Sequence, residues 1–394
     1  MNNKKINHLV ARLVDNAIFV KILALFKSKY AKNTPSPDSI KKILIIKLEG
    51  MGDAVYLLEI IHRLKIKYPD IKIDVLTTEK VPVFKIFGSS SREFGVILIN
   101  PLNLTDYYKT IKAIGKNGYN IIIDTTGMPV NIPLMLAFAK TSGTYIIGFD
   151  TLKIKKSIYD RLEDLKGDRH IFENYMSLFK IFNISQVKEF TIVYPFDNAL
   201  DYRFALGFQP REVPSGLSRL RGNDIILVLS SNSGGLLHRR LPLANSVKLI
   251  KLLKEEFKDY SISLLGGPGD YDYLEEIKNA AESEYGKQDI KVEKTKTIKE
   301  AMVLLKNSFL NICIDSGLMH ISSLVNPNTY CLFGYSDPKN SLPFNNIGYF
   351  WSHSDCSPCS FYKISDCADL KCMEAIDIDA VMDDIRRHKT RHKT

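Results

Sequence analysis

The chain has 394 residues, of which 45% are hydrophobic and 25% charged, a balance that suits two ordinary domains and excludes a disordered or fibrous protein. The formal net charge of +10 predicts attraction to anions such as nucleic acid, acidic lipid or sugar diphosphates, but we recognise no nucleic-acid-binding module and expect no nucleic-acid partner. Six cysteines in so long a chain exclude a disulfide-rich secreted scaffold.

Residues 1–40 are predicted to form a basic amphipathic helix followed by a linker. Apolar residues recur at helical spacing between residues 6 and 28, and lysines and arginines surround them. Such a helix either packs on its own domain or lies on an anionic membrane surface. The apolar stretch at 17–26 is interrupted by Lys21 and is too short to span a bilayer. Because no cleavable signal is evident, we expect a cytoplasmic protein.

From residue 41 onward, short apolar runs alternate with helical stretches in two successive series. Continuous apolar runs are typical of strands buried on both faces, and their alternation with helices indicates parallel sheets. We therefore predict two Rossmann-like domains, at 41–208 and 224–386, whose ligands bind beyond the carboxyl ends of the strands. The predicted strands are 42–47, 72–77, 96–99, 120–124 and 144–148 in the first series, and 224–230, 261–266, 309–314 and 329–333 in the second.

Two segments fit neither series. Residues 209–223 contain two prolines, two glycines and three arginines, and we interpret them as an exposed insertion between the domains. Residues 387–394 repeat the sequence RHKT twice, which predicts a disordered basic tail.

The first chemical motif is Gly50-Met51-Gly52-Asp53, between the first strand and the following helix. Two glycines permit a tight turn and the close approach of a ligand, and a helix amino terminus favours an anion. Asp53 then either caps the helix or acts as a catalytic carboxylate at the edge of the site.

The second motif, residues 231–242, also follows a strand and precedes a helix. Ser233 and the neighbouring glycines offer hydroxyl and backbone amide donors, while Arg239 and Arg240 offer fixed positive charge for phosphate oxygens. The segment is therefore either a phosphate-binding turn or a solvated basic loop.

The third motif is the turn that contains Gly267 and Asp270. Here a nucleoside could approach the glycines, and the Asp270 carboxylate could accept a ribose hydroxyl. Residues 270–272 also spell a metal-binding DxD, but at the start of a helix. Neither Gly50-x-Gly52 nor Gly267-x-Gly269 is completed by a third glycine, which argues against nicotinamide binding.

The fourth motif, residues 315–320, follows an apolar run and opens a helix. Ser316 and Gly317 would supply backbone amides for a diphosphate, and Asp315 would cap or orient. His320 lies one helical turn further on, where it either faces the same ligand or is structural.

Four cysteines fall within seventeen residues near the carboxyl end of the chain. They could pack in the reduced state, hold zinc or act in redox chemistry. These residues are Cys356, Cys359, Cys367 and Cys372.

Together these motifs resemble glycosyltransferase family 9, the heptosyltransferase-like enzymes, over residues 41–385. The matching features are GMGD at 50–53, two arginines before Leu241-Pro242, a GGP turn at 266–268 and D-S-G-L-x-H at 315–320. The resemblance implies a GT-B fold, in which two Rossmann-like domains with parallel sheets face a central cleft. It also implies a metal-independent, inverting transfer that uses no cofactor.

By motif position, the resemblance assigns Asp53 as general base and Arg239 as a phosphate contact that stabilises developing charge. It implies ADP-heptose as donor and a lipid-linked saccharide of the lipopolysaccharide inner core as acceptor. That acceptor suggests peripheral attachment to the cytoplasmic face of the inner membrane. The donor-site residues are Gly52, Ser233, Arg240, Gly267, Asp270, Asp315, Ser316, Gly317, Leu318 and His320.

Two other classes remain open from the sequence. Two Rossmann-like units are compatible with a nicotinamide-dependent oxidoreductase, and a degenerate family member would bind a sugar nucleotide in envelope assembly without catalysis.

Overall fold

A computed structural model of the chain describes most residues from 33 onward. The N-terminal helix predicted within residues 1–40 and the insertion predicted at 209–223 lie outside the described residues. Contacts divide the chain into two compact units, residues 1–187 and 188–394. The described ranges are 33–91, 93–100, 103–127, 131–153, 155–185, 224–231, 239–286, 289–359 and 370–391.

The N-terminal unit alternates strands with helices, as the apolar pattern predicts. Its strands are β1 (Lys42–Ile46), β2 (Lys72–Thr77), β3 (Gly95–Leu98), β4 (Ile121–Asp124), β5 (Tyr145–Phe149) and β6 (Arg161–Glu163). Its helices are α1 (Met51–Lys67), α2 (Pro82–Ser91), α3 (Leu104–Asn117), α4 (Asn131–Ala139), α5 (Lys155–Ile158) and α6 (Ile171–Leu178).

The six strands form one sheet in the order β3-β2-β1-β4-β5-β6, and all their pairings are parallel. The central strands are buried on both faces, which explains their continuous runs of isoleucine and leucine. Leu44, Ile122 and Ile146 join Leu136 of α4 in the core on one face of the sheet.

The C-terminal unit repeats this alternation. Its strands are β7 (Asp224–Val228), β8 (Ser261–Leu265), β9 (Ile290–Glu293), β10 (Leu310–Ile314), β11 (Thr329–Phe333) and β12 (Gly348–Trp351). Its helices are α7 (Leu243–Glu256), α8 (Tyr271–Tyr285), α9 (Ile298–Asn307), α10 (Gly317–Val325), α11 (Pro338–Ser341), α12 (Lys371–Glu374) and α13 (Ile378–Arg391).

The second sheet is also entirely parallel, with the order β12-β11-β10-β7-β8-β9. If the strands of each unit are numbered from one to six in chain order, both sheets have the order 3-2-1-4-5-6. This is the strand order of Rossmann folds. The prediction of two Rossmann-like units with parallel sheets is therefore confirmed.

Three strands at sheet edges were not predicted from the sequence: β6, β9 and β12. β6 and β9 contain charged residues, so they lack the continuous apolar run that marks a central strand, whereas β12 is apolar (Gly-Tyr-Phe-Trp) but was not recognised as a strand. The carboxyl-terminal helix also extends further than expected. It continues through Arg391, and Arg386 and Arg387 pair within it with Asp383 and Asp384, so the described part of the predicted tail is helical.

Candidate active site

Three of the four predicted chemical motifs follow strands at which the strand order of a sheet reverses, and the turn with Gly267 and Asp270 follows the neighbouring strand β8. In the N-terminal unit, the chain builds outward from β1 to β3 and then returns to place β4 on the other side of β1. In the C-terminal unit, β7 and β10 hold the same positions. Ligands of open parallel sheets bind beyond the carboxyl ends of such strands. The glycine turn before Asp53 follows β1, and Asp315 follows β10.

The turn after β1 depends on Gly50. This residue adopts φ +78° and forms the N-cap of α1, a left-handed conformation that glycine reaches without strain. A Cβ at this position would also lie 2.9 Å from Asp53 Oδ2 and 3.2 Å from Lys47 Nζ. Gly50 therefore both shapes the turn and leaves room for these two charged groups.

Asp53 does not cap α1. It is the third residue of the helix, and its carboxylate accepts hydrogen bonds from side chains outside the helix. Lys47 Nζ lies 3.2 Å from Asp53 Oδ2, and Tyr175 Oη lies 3.5 Å from the same oxygen. The side chain of Asp53 is 40% exposed, whereas that of Lys47 is 7% exposed. A carboxylate that reaches solvent is thus anchored from beneath by a buried ammonium group.

Tyr175 of α6 completes this group of polar side chains. Its hydroxyl accepts a hydrogen bond from Lys47 Nζ at 2.6 Å. Burial, and then the nearby Asp53 carboxylate, raise the pKa of Tyr175 well above its ordinary value. The phenol consequently stays protonated and serves as a donor.

Next to this group, β4 ends in a second cluster of buried charges. Asp124 and Lys155 are both fully buried, with Oδ2 and Nζ 3.3 Å apart. Tyr159 Oη donates to Asp124 Oδ2 at 2.5 Å, and Lys155 Nζ donates to the Thr126 carbonyl at 2.9 Å. These groups bind one another through an ion pair and hydrogen bonds, and the bond to the Thr126 carbonyl fixes the loop after β4.

In the C-terminal unit, Arg239 and Arg240 each lie against an aromatic ring. The Arg239 guanidinium carbon is 5.0 Å from the centre of the Tyr335 ring, and that of Arg240 is 4.6 Å from the centre of the Tyr273 ring. Within the described residues, the buried Nε of each arginine has no hydrogen-bond partner. Both guanidinium groups are thus held in place while retaining donor capacity.

Tyr335 connects Arg239 to the turn after β10. Its hydroxyl donates to the Asp315 carbonyl at 3.3 Å, and the adjacent Ser336 hydroxyl donates to the Asp315 carboxylate. Burial, and then Asp315, raise the pKa of Tyr335 well above its ordinary value. The structure therefore brings together Arg239 and Asp315, which the sequence placed in separate motifs.

Ser316 is the N-cap of α10. Its hydroxyl accepts a hydrogen bond from the Met319 amide at 3.3 Å and so caps the helix. The first backbone amides of a helix point outward from its amino terminus. Gly317 and Leu318 are partly exposed at this helix start. His320 is only 5% exposed, which agrees with the structural alternative left open by the sequence.

Asp270 differs from the ribose-accepting residue that the motif suggested. Its side chain is buried, with Oδ1 accepting the Ser230 hydroxyl at 2.6 Å and Oδ2 accepting the Gly267 amide at 3.0 Å. Because the protein's own donors serve both oxygens, we interpret Asp270 as the residue that joins the turns after β7 and β8. The Gly267 amide is likewise used within the turn.

Other predicted site residues are placed as follows. Gly52 is partly buried in the first turn of α1, beside Asp53, and Ser233 lies outside the described residues. Cys356 is exposed, Cys372 is buried, and Cys367 is not among the described residues. Within the part of the chain that the structure describes, no group of three or more His, Cys, Asp or Glu side chains could hold a metal ion.

Sequence reasoning did not identify Tyr175, Tyr273 or Tyr335 as site residues. Tyr335 lies two residues after the end of β11, so its place after a central strand was a usable signal. Tyr175 and Tyr273 lie on helices, and no local motif distinguishes them from tyrosines with a purely structural role.

Comparison with known proteins identifies one family over most of the chain. The model of glycosyltransferase family 9 (heptosyltransferase) matches residues 107–365. Lipopolysaccharide heptosyltransferase 1 of Campylobacter coli is 21% identical over 316 residues, which cover 78% of this chain and 87% of that protein. Lipooligosaccharide heptosyltransferase 2 of Haemophilus influenzae is 29% identical over 108 residues, or 27% of this chain and 31% of that protein.

Solved structures show the same fold at low identity. The E. coli ADP-heptose lps heptosyltransferase II is 16% identical with a TM-score of 0.65, covering 90% of this chain and 100% of that one. A family 9 glycosyl transferase from Veillonella parvula is 15% identical with a TM-score of 0.70, and the match covers 91% of this chain and 98% of that one. The E. coli heptosyltransferase WaaC with ADP is 15% identical with a TM-score of 0.59, covering 88% and 99%. The predicted GT-B fold is confirmed.

Proposed function

Because this chain belongs to glycosyltransferase family 9, we propose that it transfers a heptose from ADP-heptose to a lipid-linked saccharide of a lipopolysaccharide inner core. Membership of the family makes it a glycosyltransferase of the heptosyltransferase type and favours this function over a nicotinamide-dependent oxidoreductase. The donor, the acceptor, the inversion of the anomeric centre and the independence from metal are our proposals.

The observation that carries the proposal is the anchored carboxylate of Asp53. It extends to solvent beyond the carboxyl end of a switch-point strand while Lys47 and Tyr175 hold one of its oxygens. A fixed, accessible carboxylate is suited to remove the proton from an acceptor hydroxyl as that oxygen attacks the anomeric carbon. Direct attack displaces the nucleoside diphosphate from the opposite face and inverts the anomeric centre.

The C-terminal unit supplies groups suited to the diphosphate. Arg239 and Arg240 present guanidinium groups with unused donors, and the start of α10 at Gly317 presents backbone amides. We propose that these groups stabilise the negative charge that develops on the leaving diphosphate. Because fixed cations and amides serve this purpose, the mechanism requires no metal ion.

The named relatives support the choice of donor. One solved relative carries ADP-heptose in its name and another contains ADP, and both share the fold of this chain.

The transfer test uses the purified chain, ADP-heptose and a lipid-linked inner-core acceptor, with and without EDTA. We expect transfer at the same rate in both samples and a product of inverted anomeric configuration by NMR.

Three outcomes would contradict the proposal. Transfer abolished by EDTA and restored by a divalent cation would refute metal independence. Binding of ADP without turnover of any nucleotide sugar would favour the non-catalytic alternative. A change in NADH fluorescence on addition of the protein would revive the oxidoreductase.

No helix of the described residues is both long and apolar enough to cross a membrane. We propose that the chain attaches peripherally to the cytoplasmic face of the inner membrane through residues 1–40, of which residues 1–32 lie outside the described part of the chain. Flotation with anionic liposomes, compared between the full chain and a chain lacking residues 1–40, tests this attachment. Equal flotation of the two would refute it.

A further inference from the structure

The Asp53 carboxylate has two differently placed oxygens. Oδ2 accepts from Lys47 Nζ at 3.2 Å and from Tyr175 Oη at 3.5 Å. None of the hydrogen bonds described for this chain involves Oδ1, while the side chain as a whole is 40% exposed. Oδ2 is thus engaged by two protein donors, whereas Oδ1 takes part in none of the described hydrogen bonds.

The ammonium group of Lys47 is largely removed from solvent. Its side chain is only 7% exposed, and burial of an ammonium group is unfavourable without charged or polar partners. Its described side-chain hydrogen-bond partners are the Tyr175 hydroxyl at 2.6 Å and the Asp53 carboxylate. Gly50 leaves space for this ion pair, since a Cβ there would approach both charged groups.

Tyr175 holds the group together from a different element. It is on α6, packs against Phe149 of β5 with ring centres 6.2 Å apart, and is buried. Because its hydroxyl accepts from Lys47 and donates to Asp53, rotation of the carboxylate would break both a hydrogen bond and an ion pair. The group therefore restricts the orientation of Asp53 as well as its charge.

We propose that Lys47 and Tyr175 are positioning residues that bind Oδ2 of Asp53 and so present Oδ1 as the oxygen that takes the proton from the acceptor hydroxyl. This inference rests on the proposed role of Asp53 as general base. It assigns the proton transfer to one atom: the acceptor oxygen forms its bond to the anomeric carbon, its proton passes to Oδ1, and the diphosphate leaves with the electron pair of the broken bond.

The chain contains a matched control at the other end of β1. Lys42 Nζ lies 3.6 Å from Asp74 Oδ2 and 4.8 Å from the centre of the Tyr119 ring, and Tyr119 Oη donates to Asp74 Oδ2 at 2.7 Å. This second group has the same three residue types, but it lies at the amino-terminal end of the strand, away from the glycine turn. We assign no role in transfer to it.

The test compares Tyr175→Phe and Lys47→Met with Tyr119→Phe and Lys42→Met. Misplacement of a catalytic group by about 1 Å costs on the order of 100-fold in rate, so we expect kcat to fall by roughly 10-fold to 100-fold in the first two variants. We expect the KM for ADP-heptose to stay unchanged, because neither residue is assigned to donor binding. The control variants should retain the wild-type kcat and KM.

A merely structural role would give a different result. It would change KM together with kcat, or it would lower kcat equally in the control variants. Tyr175→Phe retains the ring and its packing, so it separates the hydroxyl from the fold even if Lys47→Met is unstable. Unchanged kcat in Tyr175→Phe would overturn the role of Tyr175.

Crystal structures of the same variants decide the inference without any turnover. We expect the Asp53 carboxylate to leave its wild-type position in Lys47→Met or, if that variant does not fold, in Lys47→Gln. An unmoved carboxylate would overturn the inference. Absence of transfer by the wild-type chain would instead refute the proposed function, so the two failures are distinguishable.

Discussion

At the scale of single residues, the proposed function depends most on Asp53. Removal of a general base typically lowers the rate by about 100-fold to 10,000-fold, so Asp53→Asn should lose transfer by that factor. The substitution keeps the size of the side chain, so we expect ADP to bind as to the wild-type chain. Initial rates of heptose transfer and equilibrium binding of ADP measure the two effects.

The exposed carboxylate of Asp70, just beyond the end of α1, provides the control for this substitution. Asp70→Asn should retain wild-type transfer, because that side chain is assigned to no site. Wild-type rates in Asp53→Asn would contradict the assignment of the base.

Local motifs were sufficient to propose Asp53 as the base but not to identify the residues that contact its carboxylate. The glycine turn, the preceding strand and the following helix are contiguous in sequence, so their geometry follows from local rules. Tyr175 meets Asp53 across 122 positions of the chain. Such a contact depends on how α6 packs against α1, which no local pattern specifies. The same reason explains why the hydroxyl partner of Asp270, Ser230, was not predicted.

At the scale of secondary structure elements, the short helix α5 is attached to β4 through charge. Removal of one partner from a buried ion pair typically costs about 3–5 kcal/mol, because the other charge is left buried and uncompensated. Lys155→Met should therefore reduce the free energy of unfolding by that amount, since Asp124 is fully buried. Chemical denaturation monitored by circular dichroism measures the loss.

The adjacent Lys156 offers a matched control on the same helix. It pairs with Asp150 at 3.1 Å, but its side chain is 63% exposed. Exposed pairs contribute about 0–1 kcal/mol, so Lys156→Met should change stability little. Equal losses in the two variants would show that the buried pair has no special importance.

Helix α1 is also joined by a titratable pair to the segment that precedes β3. His62 Nδ1 lies 2.7 Å from Glu93 Oε1, and this hydrogen bond raises the pKa of His62 above 6.5 while burial opposes it. Because the folded-state pKa is raised, the stabilisation is fully present below pH 6.5 and is lost as pH rises through the folded-state value.

The corresponding measurement is the free energy of unfolding of the wild type and of His62→Gln across this pH range. We expect the wild type to be more stable at low pH, with the difference shrinking as pH rises. A difference that is constant with pH, or that grows with it, would contradict this pairing.

The elements themselves were predictable to very different degrees. Nine strands were predicted as apolar runs, and each overlaps a strand of the structure. For the central strands the reason is that burial on both faces demands continuous hydrophobicity, and the edge strand β3 is also an apolar run. The edge strands β6 and β9 were missed because charged residues interrupt their apolar pattern, and the apolar edge strand β12 was not recognised either. Their existence depends on pairing with a neighbour, which is information that a single run of residues does not contain.

At the scale of the whole molecule, each unit has its own sheet, and their cores comprise different residues. We propose that ADP binds through Arg239, Arg240 and the start of α10, all within the C-terminal unit. Because a ligand that binds only the native state raises the unfolding temperature, we expect ADP to stabilise the chain in calorimetry. The shift should grow with the ADP concentration.

Arg239→Met should weaken this stabilisation, because the guanidinium group is assigned to the diphosphate. Arg386→Met provides the control, since that arginine pairs with Glu256 and Asp383, none of which is assigned to the diphosphate. Full stabilisation of Arg239→Met by ADP would contradict the assignment of the diphosphate site.

Every strand pairing described for this chain joins two strands of the same unit. A chimera made by exchanging one complete unit, with the junction between residues 185 and 224, would therefore keep both ladders of backbone hydrogen bonds intact. If the nucleotide is recognised as proposed, the specificity for the activated sugar would be inherited with the grafted carboxyl-terminal half. The base would remain in the recipient half, so sugar preference and acid–base chemistry could be recombined by gene fusion rather than redesigned residue by residue.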